Sequence, residues 1–261
     1  MDRDVLSSEK REKLKDFYFR IRDCRECGLS STRINFVFGS GNSNARIVLI
    51  GEAPGKNEDL QGKPFVGQAG KLLDELLQSI GFTRSDVFIA NVLKCRPPEN
   101  RDPNIGEIDS CKKYLFKQIE IIDPEIICTM GRYSTQLIIG TPTGINKLRG
   151  KVFKINSRII IPINHPAAAL YTPSRFQILR EDFNRLKTVF DNIGKPETAI
   201  KIEEAGVLEE NIKSGMVSSK GNFMKQQQKE GTKFGHSGDM QSKQEEGSHP
   251  GQQDSRQLGL F

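Results

Sequence analysis

Tryptophan is missing from this 261-residue sequence, and aromatic residues make up only 7% of it. A broad aromatic surface for ligands is therefore not expected. No apolar run approaches the roughly 20 residues that a membrane-spanning helix needs, so we predict no membrane association. The opening residues, MDRDVLSSEKREKLKDF, are charged and lack an apolar segment. We therefore expect no signal peptide and a cytoplasmic protein.

Histidine and cysteine are also scarce, with three and five copies. Because disulfides rarely persist in the cytosol, the cysteines are better explained as metal ligands or core thiols. The formal charge of +6 permits a polyanionic partner without proving one. The length suffices for one sizeable core and an appendage.

Four short runs rich in β-branched residues predict buried strands at residues 46–51, 87–93, 125–131 and 158–163. They lack polar alternation, as expected of parallel strands covered on both faces. Amphipathic helical patterns separate them, and Asp102 and Pro103 look like the N-cap and first residue of one helix. The sequence thus predicts an α/β domain over residues 1–195, with three layers (α/β/α) and a central four-stranded parallel sheet.

The composition changes near residue 205, where Gly, Gln, Ser and Lys replace most apolar residues. Such a segment has too little to bury for folding, so we predict a disordered linker over residues 196–256. The sequence closes on QLGLF, whose large apolar residues have no folding role in a disordered chain. A short partner-binding motif explains them, and chance apolar residues at a terminus are the alternative.

The segment GEAPGKNEDLQGKPFVGQAGKLL, at residues 51–73, contains three Gly-Lys pairs without the spacing of a phosphate-binding P-loop. It follows a predicted strand, so Glu52 and Ala53 should lie at the carboxyl edge of the sheet, where α/β proteins bind ligands. Glycines would let the backbone approach a ligand, and Phe65 offers a flat apolar face. The alternative is a mobile acidic surface loop with Phe65 buried in the core.

Three polar residues near other strand ends are further candidates. Asn91 ends the second strand, and its amide could pair with the edge of a planar heterocycle, although a lone Asn is more often a turn residue. Asn100 follows in a loop, where a capping role is the simpler interpretation. His165 is the single His outside the tail and follows the fourth strand, although a structural His would be the default.

The cysteines give a stronger signal than these polar residues. Cys24 and Cys27 form a C-x-x-C pair, and Cys95 and Cys111 follow much later. Four thiolates can hold a tetrahedral zinc ion or a [4Fe–4S] cluster, and the spacing does not separate the two. Cys128 lies within an apolar strand and is most simply a core residue.

Five segments stand in an order that resembles one known family: GEAPGKNED, GKPFVGQAGKLLD, NVLKCRPPENRDP, DPEIICTMG and HPAAAL. They resemble the family 4 uracil-DNA glycosylases, the iron–sulfur branch of the uracil-DNA glycosylase superfamily, over about residues 20–190. The resemblance implies an enzyme that flips uracil out of single- or double-stranded DNA and hydrolyses its N-glycosidic bond, starting base excision repair. No Lys occupies an obvious nucleophile position, so the abasic site should stay uncut. We expect a nucleoid-associated monomer.

The resemblance also implies how a base would be held. Phe65 would stack on the flipped uracil, Asn91 would pair with its O4 and N3–H, and His165 would stabilise negative charge on O2. The backbone of Gly51, Glu52 and Ala53 would line the pocket. The ligands of the [4Fe–4S] cluster would be Cys24, Cys27, Cys95 and Cys111, and zinc is the alternative.

The sugar side of the reaction is less defined by the resemblance. Glu52 would position water or stabilise the sugar cation, with Glu58 and Asn100 as supporting candidates. Family 1 enzymes carry an Asp where this chain has Ala53, so the residue that activates water stays open. Leu170 or Tyr171 could fill the gap left by the flipped base. Candidate phosphate contacts are Arg22, Arg25, Arg33, Lys147, Arg149 and Arg175.

The closing QLGLF resembles the pentapeptide that docks on the bacterial sliding clamp. The residues that match are Gln257, Leu258, Leu260 and Phe261. A ligand of an archaeal or eukaryotic clamp is the alternative, and Phe261 directly after Leu260 argues against it.

Two other functions are weighed against the glycosylase. A superfamily branch that is trapped covalently on uracil-DNA carries an inserted basic loop with a reactive His, whereas this chain has only QSIGFTRSDVF there. The second alternative is a non-catalytic, metal-stapled DNA-binding module tethered to the clamp.

Overall fold

A computed structural model describes residues 3–194 and 202–204 of the chain. In these ranges seven strands form one mixed sheet in the order β1-β3-β2-β4-β6-β5-β7. The strands are β1 (Ser40–Gly41), β2 (Ile47–Gly51), β3 (Val87–Asn91), β4 (Ile126–Met130), β5 (Val152–Ile155), β6 (Arg158–Ile163) and β7 (Ile202–Glu204). Neighbours in the central group β3-β2-β4-β6 are parallel, which confirms the predicted four-stranded core of an α/β fold.

The sheet is wider than the sequence predicted, because three short edge strands were not recognised. β1 pairs antiparallel with β3 over two residues, too few to leave a pattern. β5 forms a hairpin with β6 through a turn at Asn156, whose φ is 56°. β7 pairs with β5 and falls inside the predicted linker. The rest of the predicted linker, residues 196–201 and 205–256, and the QLGLF segment lie outside the described residues.

Seven α-helices connect and flank the strands of the described part. They are α1 (Arg3–Ile21), α2 (Lys56–Gln61), α3 (Gln68–Ser79), α4 (Ile105–Ile122), α5 (Arg132–Ile139), α6 (Ile145–Leu148) and α7 (Pro173–Asn192). Short 3-10 turns follow Cys27, Pro97 and His165. None of the helices in the described ranges is both long and apolar enough to span a bilayer.

The start of α4 corrects a sequence prediction. Asn104, and neither Asp102 nor Pro103, caps this helix in a reciprocal box with Glu107. The Asn104 N–H donates to Glu107 Oε2 at 2.8 Å, and the Arg101 guanidinium holds the same carboxylate. Asp102 is thereby left outside the helix, where its carboxylate pairs with Arg132 at 2.9 Å.

The core has two halves, one on each face of the sheet. Along β2 the side chains alternate, so that Val48 and Ile50 pack in one half while Ile47 and Leu49 pack in the other. The first half includes residues of α1 and α4, and the second includes residues of α3 and α7. Cys128 is fully buried in the second half, which confirms its prediction as a core residue. The fold is therefore a three-layer α/β/α arrangement that turns the carboxyl ends of its parallel strands toward one edge.

Candidate active site

The carboxyl ends of β2, β3 and β6 and the loops after them surround a cavity of about 330 Å³. This volume lies at the lower end of the range for small-molecule pockets, which suits a single heterocycle. Seven residues that the sequence analysis named line the cavity: Glu52, Ala53, Glu58, Phe65, Asn91, Asn100 and His165. Pro54 lines it as well, and so do Gly55, Ala69, Pro97, Arg101 and Ala167, which were not predicted.

Gly51 brings two of these residues together at the end of β2. A Cβ atom at this position would lie 2.3 Å from Asn91 Oδ1 and 2.8 Å from Phe65 Cε2. Real Cβ atoms do not make such contacts, so only glycine allows the amide and the aromatic ring to converge here. Gly51 was expected to line the pocket but is not among the residues that surround this cavity; its role is close packing against Asn91 and Phe65.

Phe65 has an unusual backbone that other residues hold in place. Its φ is 53°, in the left-handed region that costs free energy for a non-glycine residue. Arg84 donates to the carbonyl groups of Pro64 (3.1 Å) and Phe65, and Asp74 anchors the guanidinium at 2.6 Å. A Cβ at Gly70 would lie 1.8 Å from the Phe65 carbonyl oxygen, so this helix position must be glycine. Arg84 lies far along the chain from Phe65, so residue type and spacing did not link the two.

The Phe65 ring belongs to the core and to the cavity wall at once. It is buried among apolar residues of the second core half, yet the residue also lines the cavity. The ring stacks on the His165 imidazole with centroids 5.4 Å apart and planes inclined by 28°. A base cannot enter between two rings at this separation, so the pair forms one continuous wall. The core and ligand interpretations of Phe65 are therefore compatible.

His165 is held in one tautomer. The Ala167 N–H donates to His165 Nδ1 at 3.2 Å, so the proton of a neutral ring lies on Nε2. Burial lowers the pKa of the imidazole to about 4, while the nearby Glu58 acts in the opposite direction. At neutral pH the ring is thus an uncharged donor through Nε2–H. Gly131, with φ of 94°, brings the end of β4 against His165 Cβ.

Asn91 presents an unused acceptor. Its side chain is 3% exposed, and Oδ1 has no hydrogen-bond partner among the described residues. A buried acceptor without a partner costs free energy, which a ligand donor would recover. The residue ends β3 and lines the cavity, in the position expected from the sequence.

Glu52 carries a strongly perturbed carboxyl group. Burial and then the negative charge of Asp102 raise its pKa to about 7, and Arg132 partly opposes the shift. The carboxyl therefore changes its protonation state near neutral pH. Its charged neighbours come from the loop before α4 and the first turn of α5, and sequence spacing had linked neither to Glu52.

The two supporting candidates have structural contacts. Glu58 Oε1 accepts from the backbone N–H groups of Val66 (3.0 Å) and Gly67 (3.1 Å), so this carboxylate fixes the loop that follows Phe65. Asn100 has φ of 55° and accepts from Arg96 Nε at 2.8 Å. Both line the cavity, and these hydrogen bonds indicate positioning roles.

The four cysteines of the predicted metal site share one region of the first core half. Three of the sulfur atoms accept hydrogen bonds: Cys24 from Tyr114 Oη (3.1 Å), Cys95 from Arg33 (3.3 Å) and Cys111 from the Lys94 N–H (3.3 Å). Such donors stabilise thiolates. In the absence of metal, burial raises the pKa of Cys95, and it raises that of Cys111 to about 12.

These contacts fit a tetrathiolate site in their chemistry. Cys24 and Cys27 act electrostatically on Cys95, and Cys27 and Cys95 act on Cys111, so the thiols lie within mutual influence. No three His, Cys, Asp or Glu side chains within the described ranges are grouped closely enough to hold a metal ion directly. Arg33 is committed to this region through Cys95 and two backbone carbonyls, which argues against its role as a phosphate contact.

The structure also shows the contacts and exposure of one more phosphate-contact candidate and of the two wedge candidates. The Arg149 guanidinium pairs with the buried Asp182 at 2.9 Å, which argues against a phosphate contact there as well. Tyr171 is 90% exposed and follows the turn after His165. Leu170 packs partly against the core instead. Of the two wedge candidates, Tyr171 is the more accessible.

Comparison with known proteins agrees with this arrangement. The family model described as "Uracil DNA glycosylase superfamily" matches residues 38–187. The chain belongs to the uracil-DNA glycosylase superfamily. Within it, the chain is similar to proteins named type-4 uracil-DNA glycosylase. One from Archaeoglobus fulgidus is 46% identical over 183 residues, covering 67% of this chain and 92% of the relative.

Two other relatives with this name show similar coverage. The protein of Saccharolobus solfataricus is 49% identical over 187 residues, which is 68% of this chain and 86% of the relative. That of Thermotoga maritima is 41% identical over 187 residues, or 70% and 93% of the two chains.

Proposed function

We propose that the protein is a monofunctional uracil-DNA glycosylase, which hydrolyses the bond between uracil and deoxyribose and leaves an uncut abasic site. The observation that carries the proposal is the convergence of Phe65, Asn91 and His165 on one small cavity at the carboxyl edge of the sheet. The type-4 name of the relatives supports the same activity.

Base selection follows from the amide of Asn91. With its unpaired Oδ1 turned to N3–H and its NH2 group to O4, the side chain would match uracil. Cytosine carries an acceptor at N3 and donors at C4, so a fixed amide would face it with mismatched groups. Rejection by mismatched buried polar groups is much stronger than rejection by shape alone.

Charge stabilisation would drive the bond cleavage. As the glycosidic bond breaks, uracil leaves as an anion and the sugar becomes cation-like. The neutral His165 is aimed by the Ala167 N–H, and its Nε2–H would donate to the charge on O2. A donor fixed before the reaction costs no reorganisation in the transition state.

Glu52 would act on the sugar side. As a carboxylate it would stabilise the cation or orient the attacking water, with Asn100 near by and Glu58 holding the Phe65 loop. A pKa of about 7 leaves a large fraction ionised at neutral pH. Ala53 lines the cavity without a proton-accepting group, which leaves Glu52 as the better placed candidate for water activation.

DNA would reach the pocket by base flipping. Extruding a nucleotide costs a few kcal/mol, and a side chain inserted into the stack can offset part of this cost. Tyr171, exposed beside the turn that carries His165, would be this wedge. Phe65 would stack on the extruded base, a contact worth roughly 1–3 kcal/mol.

A [4Fe–4S] cluster would be held by Cys24, Cys27, Cys95 and Cys111. The donors to their sulfur atoms and the chemistry of four thiolates support this assignment, and zinc is the alternative. When bound, the cluster would tie the loop after α1 to β3 and α4. Broad visible absorption with iron in the purified protein would support the cluster, and a colourless zinc-loaded protein would overturn it.

The closing pentapeptide would tether the enzyme to a sliding clamp through Gln257, Leu258, Leu260 and Phe261. Deletion of these five residues should abolish clamp binding in a pull-down while base excision on a short oligonucleotide is retained. Clamp binding that survives the deletion would refute this part of the proposal. We also propose a monomer in a cytoplasmic, nucleoid-associated location.

The activity is tested with end-labelled oligonucleotides that carry one uracil, single- or double-stranded. The full chain should yield a strand that breaks only after alkali treatment, because the abasic site is left uncut. Strand breakage without alkali would indicate a lyase, and an intact strand after alkali would favour the non-catalytic module.

A further inference from the structure

Lys94 is a buried cation that the reaction described above does not use. Its side chain is 0% exposed, and it lies in the short link between Asn91 and Cys95. The Nζ atom donates to the Asn91 carbonyl at 2.9 Å and to Gln118 Oε1 at 2.6 Å. Gln118 is itself fixed by donating to the Phe38 carbonyl at 2.9 Å.

Both acceptors of this ammonium group are neutral. A fully buried ammonium with neutral partners alone is costly, and stable proteins provide a nearby anion. The backbone N–H of Lys94 donates to Cys111 Sγ, and both Cys111 and Cys95 interact electrostatically with the ammonium group. Metal-bound cysteines are thiolates, so an occupied four-cysteine site would supply the missing negative charge.

We propose that Lys94 is a positioning residue that links the four-cysteine site to base recognition. On one side its ammonium fixes the carbonyl of Asn91, the residue whose amide would read uracil. On the other side it offsets the charge of the metal-bound thiolates of Cys95 and Cys111. The inference rests on the proposed function, because it explains what holds Asn91 in the position from which it would recognise uracil.

The first experiment is a double-mutant cycle on the binding of free uracil, measured by calorimetry with the full chain. Lys94→Met keeps the length of the side chain and removes its charge and donors. It should weaken uracil binding about tenfold, the loss of roughly one charged hydrogen bond. In an Asn91→Ala background the same change should have less than about a twofold effect, because residues acting through one another are not additive.

A purely structural role would produce equal losses in both backgrounds, and that result would overturn the proposal. Lys117→Met is the matched control, since Lys117 is an exposed lysine of α4 paired with Glu120, and it should leave uracil binding unchanged. Gln118→Leu, which removes a partner of the ammonium, should reproduce the pattern of Lys94→Met with a smaller loss. If Lys94→Met yields no folded protein, the cycle with Gln118→Leu decides between the same two outcomes.

The second experiment tests the charge. A chelator should strip the metal from Lys94→Met faster than from the wild-type chain, by about fivefold or more, and from Lys117→Met at the wild-type rate. Equal rates in all three would overturn the thiolate half of the proposal. A wild-type chain that neither binds nor releases uracil overturns the proposed function together with this inference. A competent wild type with an unaffected Lys94→Met overturns the inference alone.

Discussion

The cavity and the four-cysteine region meet at the end of β3, yet the protein stabilises them in different ways. In the cavity, Phe65, Glu58 and His165 are fixed by hydrogen bonds and packing within the chain. In the cysteine region, burial raises the pKa of Cys95 and Cys111, so their charged forms are unfavourable without metal. The cavity is therefore built in advance, whereas a bound metal would favour the charged forms of Cys95 and Cys111.

Changes in the cysteine region should have the largest effect. Cys95→Ser should remove the visible absorption and most of the bound metal, and lower the midpoint of thermal unfolding, because metal binding contributes folding free energy. Absorbance, metal analysis and calorimetry measure the three effects. Cys128→Ala is the control, since this buried thiol lies in the other core half and should leave the metal in place. Full metal content in Cys95→Ser would contradict the assignment.

Changes in the cavity should reduce activity while leaving the metal content and the stability nearly unchanged. His165→Ala should lower the single-turnover rate of uracil release by about 100- to 1,000-fold, the usual effect of losing one pre-aimed donor. The unfolding midpoint and metal content should stay near those of the wild type. His236→Ala, in the predicted linker, is a control of the same residue type. A variant that keeps the wild-type rate would remove His165 from the mechanism.

A substitution at Gly51 tests the same cavity and should have a smaller effect on the rate of uracil release than His165→Ala. Gly51→Ala should push apart the Asn91 amide and the Phe65 ring and reduce the rate of uracil release by about 10- to 100-fold. A Cβ at Gly106, in α4, meets no atom within 4 Å, so Gly106→Ala is the matched control. Equal activity of the two variants would show that the convergence at Gly51 is not needed.

The pH dependence should show the smallest effect. If ionised Glu52 is required, the rate of uracil release should be low at acid pH and should increase as the pH rises through about 7. Asp102→Asn removes a negative charge that raises the pKa of Glu52. The acid limb of the pH–rate curve, where the rate increases with pH, should therefore move to lower pH. A limb that stays in place would argue that Asp102 does not tune this carboxyl group.

The ionisation of Glu52 should also lower the stability of the folded protein as the pH rises. Because the folded-state pKa of Glu52 is raised above 4.5, its contribution to stability is present at low pH and is lost as the pH rises through about 7. Glu52→Gln should therefore raise the unfolding midpoint relative to the wild type at pH 8, by a few degrees, and have little effect at pH 4. Calorimetry at the two pH values measures the difference, and an equal change at both would contradict the shift.

The parts of the fold and site that sequence could predict were those with a local signature. The four central strands were found because continuous β-branched runs indicate strands buried on both faces. Gly51 and Asn91 end strands of this kind and His165 follows one, so their common edge could be predicted from the topology. β1 and β5 were missed because a two-residue pair and a short hairpin strand leave little pattern.

The remaining features depend on contacts between distant parts of the chain. Arg84 holds Phe65 from the segment before β3, and Asp102, two residues before the N-cap of α4, acts on Glu52. The tautomer of His165 depends on a single N–H two residues later. Such relations follow from tertiary packing, which residue type and spacing do not specify.

The most direct test of the central claim is to identify the base that the protein releases. Mass spectrometry of the supernatant should detect free uracil from a uracil-containing strand, and no cytosine or thymine from matched strands. An Asn91→Ala variant should release uracil much more slowly. No free base from any strand, or cytosine released as fast as uracil by the wild-type chain, would contradict a pocket in which Phe65, Asn91 and His165 select and excise uracil.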